Sequence, residues 1–198
     1  MSAKLVDYYF SPSSPWSFLG HARFAQIARR YAAAINVKPV DFGTIFPQSG
    51  GLPLGKRAPQ RQAYRLVELR RWKTFLGVPL NLEPKYFPVD ATRAACLIIA
   101  AEPQGAEAQM RLAESLMRGL WCEEKNLADA GQLEVIAGSA GFDAAALLGR
   151  EEDARERYES YTREALARGV FGAPTYVYRD ELFWGQDRLD FLERALAM

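Results

Sequence analysis

The sequence predicts a mixed α/β fold in which a βαβ opening and a ββα close flank a long helical segment. Three observations carry that expectation. Short runs of buried-strand character occur near both ends of the chain, at Leu5–Phe10 and Thr175–Tyr178. Between about Pro47 and Arg168 no convincing strand occurs, while apolar stripes at helical spacing recur. The turn and capping residues fall at the joints between these pieces.

Leu5–Phe10 reads as a buried strand. Pro15 suits the first position of the following helix, where its missing N–H is not needed. Gly20, Phe24, Ile27 and Tyr31 then form one stripe. Ile35–Phe42 reads as the second strand, with Val37, Val40 and Phe42 as its apolar members. A strand, a helix and a strand in so short a span make a right-handed crossover with parallel strands. The helical segment opens with Gln60–Leu76, where Leu69, Trp72 and Leu76 share a stripe. Ala91–Ala101 is apolar nearly all round and reads as a buried helix. Gln109–Glu123 follows with Ala113, Leu116 and Leu120 inward. Ala130–Ala140 and Asp143–Leu148 are short helices, and Glu151–Ala167 carries Ala154, Tyr158, Tyr161 and Ala165. Thr175–Tyr178 and Leu182–Trp184 pair as a hairpin across Arg179-Asp180. Asp187 caps a last helix with Leu189, Leu192 and Leu196 inside. Residues 1–46 and 169–198 thus form one small mixed sheet with its helices, and residues 47–168 form an all-helical domain inserted between the two halves.

Composition narrows the function classes. The chain has 198 residues, 49% hydrophobic and 25% charged, so a sizeable core forms and disorder is not expected. A formal net charge of +1 argues against nucleic acid as a partner. Charge is uneven, however. Lys56, Arg57, Arg61, Arg65, Arg70, Arg71 and Lys73 stand against a single acid, Glu68. Most of these read as a solvated helix face, and a minority shape a local site for an anion. The two cysteines, Cys96 and Cys122, stand apart in apolar helical contexts and read as buried free thiols, as in a reducing compartment. The N-terminus enters strand-like sequence by Leu5 without an apolar leader, and the longest apolar run, near Ala94–Ala101, is too short to cross a bilayer. A cytoplasmic protein is expected. With a lone histidine, His21, and no paired cysteines, no metal site is expected.

Two short stretches raise questions of chemistry. In Ser14-Pro15-Trp16-Ser17 a hydroxyl, a proline and a tryptophan stand where a strand hands over to a helix. Ser14 is a good N-cap. The same position faces a helix terminus whose free N–H groups and partial positive charge favour an anion and lower a nearby thiol's pKa. The loop from Gly50 to Arg57 approaches a phosphate-binding pattern. Arg57 replaces the Ser or Thr that would hold magnesium, and Pro53 lacks an N–H, so nucleotide binding is rejected.

Taken together, the motifs resemble a known family. Ser14-Pro15-Trp16-Ser17 resembles the Cys-Pro-Trp-Cys of disulfide oxidoreductases with both sulfurs replaced by hydroxyls. Val170–Thr175 resembles the cis-proline loop that faces that motif in thioredoxin folds. Phe183–Leu189 resembles the Gly-x-Asp-Arg segment of kappa-class glutathione transferases, and is closer still to bacterial 2-hydroxychromene-2-carboxylate isomerases. The motifs stand in the expected order and span Val6 to Leu196. The resemblance implies a thioredoxin-like, DsbA-like fold, glutathione as cofactor, and a homodimer acting on a small aromatic carboxylate in aromatic hydrocarbon degradation. It implies interconversion of 2-hydroxychromene-2-carboxylate and trans-o-hydroxybenzylidenepyruvate, with Ser14 as the catalytic residue steadying the glutathione thiolate. Dithiol–disulfide exchange needs two thiols, which this motif lacks. Ser14, Trp16, Ala173 and Pro174 would hold the cysteinyl part of glutathione, with a cis bond before Pro174 exposing the Ala173 backbone. Gln186, Asp187 and Arg188 would hold its charged ends. Gly51 stands where kappa-class relatives supply an Asn, leaving a backbone contact. Phe46 and Trp16 are aromatic walls or core, and Lys56 and Arg57 would hold the substrate carboxylate. Asp90 replaces a frequent Asn and either borders the substrate or caps the helix after it. Two other readings share these motifs: a kappa-like transferase acting on electrophiles, and a thioredoxin-fold binding module without its cysteines.

Overall fold

The structure, a computed structural model, describes residues 3–198. Its four-stranded sheet has the order β2-β1-β3-β4. Strand β1 (Leu5–Phe10) runs parallel to β2 (Ala34–Pro39) and antiparallel to β3 (Thr175–Tyr178), which pairs antiparallel with β4 (Glu181–Trp184). Helix α1 (Pro15–Arg30) makes the β1–β2 crossover. Arg179 and Asp180, at φ 51° and 64°, form the two-residue hairpin turn that matches strand twist. This is the thioredoxin-like arrangement, with all the intervening helices between β2 and β3.

Alternation along β1 divides the core. Val6, Tyr8 and Phe10 face a large cluster with α1, α4 (Thr92–Ala100), α5 (Ala106–Glu123) and α9 (Leu189–Ala197). Tyr9 faces the other way, into a smaller cluster with α2 (Phe42–Ser49) and α8 (Glu151–Ala167). The larger cluster is continuous from sheet to helical segment, so the helical segment is packed on the sheet. Tyr8 stacks between Phe10 and Tyr176, with ring centroids 4.4 and 5.3 Å away. Such pairs add about 0.5–1.5 kcal/mol each beyond the area they bury.

Three expectations need correction. The second strand ends at Pro39 and not at Phe42. Val40 and Phe42 are buried as the pattern requires, but Asp41 accepts from the Gly43 N–H at 2.7 Å and starts α2, so Phe42 is the first residue of a helix. Asp187 does not cap the last helix. A 3-10 turn, Gln186–Arg188, stands before α9, and the Asp187 carboxylate is taken by the Arg188 guanidinium at 2.7 Å. Cys96 is buried, but Cys122 is only half-buried; both are free thiols. The remaining helices are α3 (Pro59–Leu76), α6 (Ala130–Ser139) and α7 (Ala144–Leu148). Among the described residues no helix is long and apolar enough to cross a membrane.

Candidate functional site

The first turn of α1 is set by its own sequence. Ser14 is extended at φ −82°, ψ 122°, and its Oγ accepts from the Ser17 N–H at 3.2 Å. Pro15 has no N–H, and the Phe18 N–H is bonded to the Ser14 carbonyl at 3.1 Å. The Trp16 amide is left as the first-turn donor with no backbone partner among the described residues. Ser14 is half-buried, and its hydroxyl proton is not committed to a partner among the described residues. A hydroxyl whose oxygen already accepts an amide proton is polarised to donate. Capping and donation are therefore compatible at Ser14. Ser17, three residues on, is buried and its Oγ has no partner among the described residues.

The loop before β3 faces this turn across the cavity. The Ala173–Pro174 bond is cis, and neither the N–H nor the C=O of Ala173 makes a backbone hydrogen bond among the described residues. The Pro174 carbonyl accepts from the Gly185 N–H at 2.8 Å, tying the two motif loops together. Gly185 sits at φ 103°, a conformation that suits glycine, and a Cβ there would meet Asp187 Oδ1 at 2.5 Å. A Cβ at Gly172 would strike the Trp184 indole at 2.2 Å, so the ring lies directly on that backbone. Gln186 is buried; Arg23 donates to its carbonyl at 3.4 Å and its Oε1 at 3.5 Å.

These pieces enclose an open cavity of about 320 Å³, at the small end of ligand-site volumes. Of the residues singled out from sequence, Trp16, Ala173, Gln186, Asp187 and Arg188 line it. Ser14 is two residues from Trp16, and Pro174 adjoins Ala173. Glu68, Trp72, Trp184 and Gly185 also line it and were not singled out. Trp72 has the helical spacing of a core residue, and only the packing of α3 against the α1 terminus shows its second role. Glu68 had one signal, as the lone acid of a basic stretch. Its carboxyl is held below the usual range, chiefly by the Arg71 hydrogen bond.

The other candidates lie elsewhere. Phe46, Gly51 and Arg57 form a neighbouring group: a Cβ at Gly51 would meet the Phe46 ring at 2.5 Å, and the Arg57 guanidinium lies 5.9 Å from that ring's centroid. Lys56 is exposed. Asp90 accepts from the Thr92 N–H at 2.9 Å at the start of α4, and hydrogen bonding from the Thr92 side chain, then from its backbone, lowers the Asp90 pKa. His21 is buried. Its Nε2 bonds the Met110 carbonyl at 2.9 Å, which leaves Nδ1 to accept from the Tyr8 hydroxyl at 3.2 Å. Burial pushes its pKa down to about 4, so it is a neutral core group, and it is not in the cavity lining.

Comparison with known proteins adds three findings. A DSBA-like thioredoxin domain matches residues 5–197. A 2-hydroxychromene-2-carboxylate isomerase of Sphingobium xenophagum is 32% identical over 196 residues, covering 98% of each chain, and a glutathione S-transferase kappa 2 of Caenorhabditis elegans is 25% identical, covering 98% of this chain and 92% of its own. The solved structure of a 2-hydroxychromene-2-carboxylate isomerase superposes with a TM-score of 0.85 at 29% identity, covering 98% of this chain and 94% of the other.

Proposed function

The chain belongs to the DSBA-like thioredoxin domain family and, within it, to the family of 2-hydroxychromene-2-carboxylate isomerases, and on that premise we propose that it is a glutathione-dependent enzyme interconverting 2-hydroxychromene-2-carboxylate and trans-o-hydroxybenzylidenepyruvate. The observation that carries this reading is the cavity in which Trp16, Ala173, Asp187 and Arg188 converge beside a helix terminus lacking both cysteines. That set fits glutathione. Ala173 offers an extended peptide an N–H and a C=O that make no backbone hydrogen bond among the described residues. Asp187 suits an ammonium and Arg188 a carboxylate.

When bound, glutathione supplies a thiolate nucleophile that adds reversibly to a conjugated acid and turns a double bond into a rotatable one. The chain's own residues prepare that chemistry. The α1 terminus and the Trp16 amide favour an anion. Ser14 donates its hydroxyl proton to that anion as a hydrogen bond, without transferring it. Trp16, Trp72 and Trp184 line the cavity and offer flat faces to an aromatic substrate. A kappa-like transferase shares these features, but the isomerase relative is 32% identical against 25% for the transferase. We place the enzyme in the cytoplasm as a homodimer.

Calorimetric titration with reduced glutathione tests the reading. Saturable binding is expected, weakened about three- to tenfold in Asp187→Ala, because the carboxylate is partly exposed and its charge-assisted bonds are screened. No binding at millimolar glutathione, or no turnover of 2-hydroxychromene-2-carboxylate with glutathione present, overturns it.

A further inference from the structure

Helix α3 carries a cluster of cations that its own fold leaves unneutralised. Among the described residues the ion pair within α3 is Glu68–Arg71, and Arg57, Arg61 and Arg65 make none. Arg57 and Arg65 are the two members of the basic stretch drawn furthest from water by burial. Arg57 is anchored by its Nε, which donates to the Leu52 carbonyl at 2.8 Å. Arg65 is less well served. Its Nη2 is buried with no hydrogen-bond partner among the described residues, and its guanidinium lies 5.0 Å from the Phe87 ring centroid. A second buried donor without a partner, Trp121 Nε1, belongs to a ring packed 4.9 Å from the same Phe87. Two unmatched donors thus flank one phenyl ring.

The charges surrounding Arg65 deepen the mismatch. Besides its desolvation, the neighbouring charge that acts on it is another cation, Arg57, which in turn feels Arg61. Unpaired buried cations cost folding free energy, and an entering anion removes that cost. The position is also informative. Arg65, Glu68 and Trp72 are spaced three and four apart and share one face of α3. Glu68 and Trp72 line the cavity, so Arg65 lies on the same face about one turn nearer the helix start. Arg188, which lines the cavity, lies 2.7 Å from the Asp187 carboxylate.

We infer that Arg65, assisted by Arg57 and Arg61, is the carboxylate-binding subsite that orients an aromatic acid beside the cavity. A guanidinium offers a planar fork matched to a carboxylate, and those of Arg57 and Arg65 lie 5.9 and 5.0 Å from the Phe46 and Phe87 ring centroids. Lys56, exposed on the adjoining turn, is outside this subsite. The inference rests on the isomerase reading for its substrate class.

The test compares salicylate with its uncharged analogue salicylamide, by calorimetry on the full chain without glutathione. Wild type is expected to bind salicylate about tenfold or more tightly than salicylamide, the scale of a charge-assisted hydrogen bond. Arg65→Met should abolish that preference while glutathione affinity is unchanged. If Arg65→Met fails to fold, the double variant Arg57→Gln, Arg61→Gln should lower the preference in its place. A preference unchanged in whichever variant is measured, or no salicylate binding by wild type, overturns the inference. A parallel loss of glutathione affinity in Arg65→Met also overturns it, since the subsite would then serve the cofactor's carboxylate. Salicylate binding through Arg65 with no glutathione binding keeps the subsite and removes the cofactor reading; the reverse result removes only the subsite.

Discussion

Two regions of the molecule treat charge in opposite ways. Under α8, Lys38 Nζ sits 2.8 Å from Asp7 Oδ1 and 2.7 Å from Glu164 Oε1. Arg168 donates to Asp7 at 2.7 Å, Asn36 to Asp7 at 2.8 Å, and the Tyr9 hydroxyl to Glu164 at 2.7 Å. Burial alone would raise the Asp7 carboxyl and lower the Lys38 ammonium, but their mutual bonds reverse both shifts. Each charge there is answered within the chain. Around α3, Arg57, Arg61 and Arg65 make no ion pair among the described residues, and Ala173, at the cavity, keeps a backbone N–H and C=O without a backbone partner among the described residues. A closed set of charges holds a structure, and an open set awaits a ligand. It is the partner count that separates stability from function.

The contrast can be broken experimentally from either side. The largest effect is expected on the closed side. Lys38→Met removes the cation shared by Asp7 and Glu164, but Arg168 and Asn36 stay on Asp7 and Glu164 is partly exposed, so a loss of about 1–3 kcal/mol is expected. Denaturant unfolding should show that loss, while turnover measured well below the unfolding transition stays near wild type. A small change in stability would mean that the network is not closed. On the open side the sign should reverse. Arg65→Met removes a buried donor with no partner, whose desolvation is worth about 1–3 kcal/mol, and loses a cation–π contact worth somewhat less. Its stability should equal or exceed that of wild type. A large destabilisation would show Arg65 to be a structural residue and would collapse the distinction.

Much of the fold is written locally. Leu5–Phe10, Glu151–Ala167 and Thr175–Tyr178 form as expected because each has one periodicity and clear ends. The β2–α2 joint is harder, since Val40 and Phe42 keep a strand's alternation past the strand's end while Asp41 turns the chain into a helix. Gly43 and Pro47 further disguise α2. The motif half of the cavity is equally legible, because Trp16, Ala173 and Asp187 belong to recognisable stretches. Its α3 wall is not. Trp72 and Arg65 have the spacing of a core stripe and a solvated face, and only tertiary packing places one in the cavity and strips the other of water.

The central claim is that Ser14 at the α1 terminus holds a thiolate. Ultraviolet absorbance of the thiolate, followed against pH with glutathione bound, tests it most directly in wild type and Ser14→Ala. Wild type should ionise bound glutathione at a pH well below that of the free thiol. Ser14→Ala should shift the titration upward and lose about 100- to 1,000-fold in isomerisation, as removal of one preorganised donor does. If both the titration and the rate are unchanged in Ser14→Ala, the serine is a helix cap alone and the account is wrong at its centre.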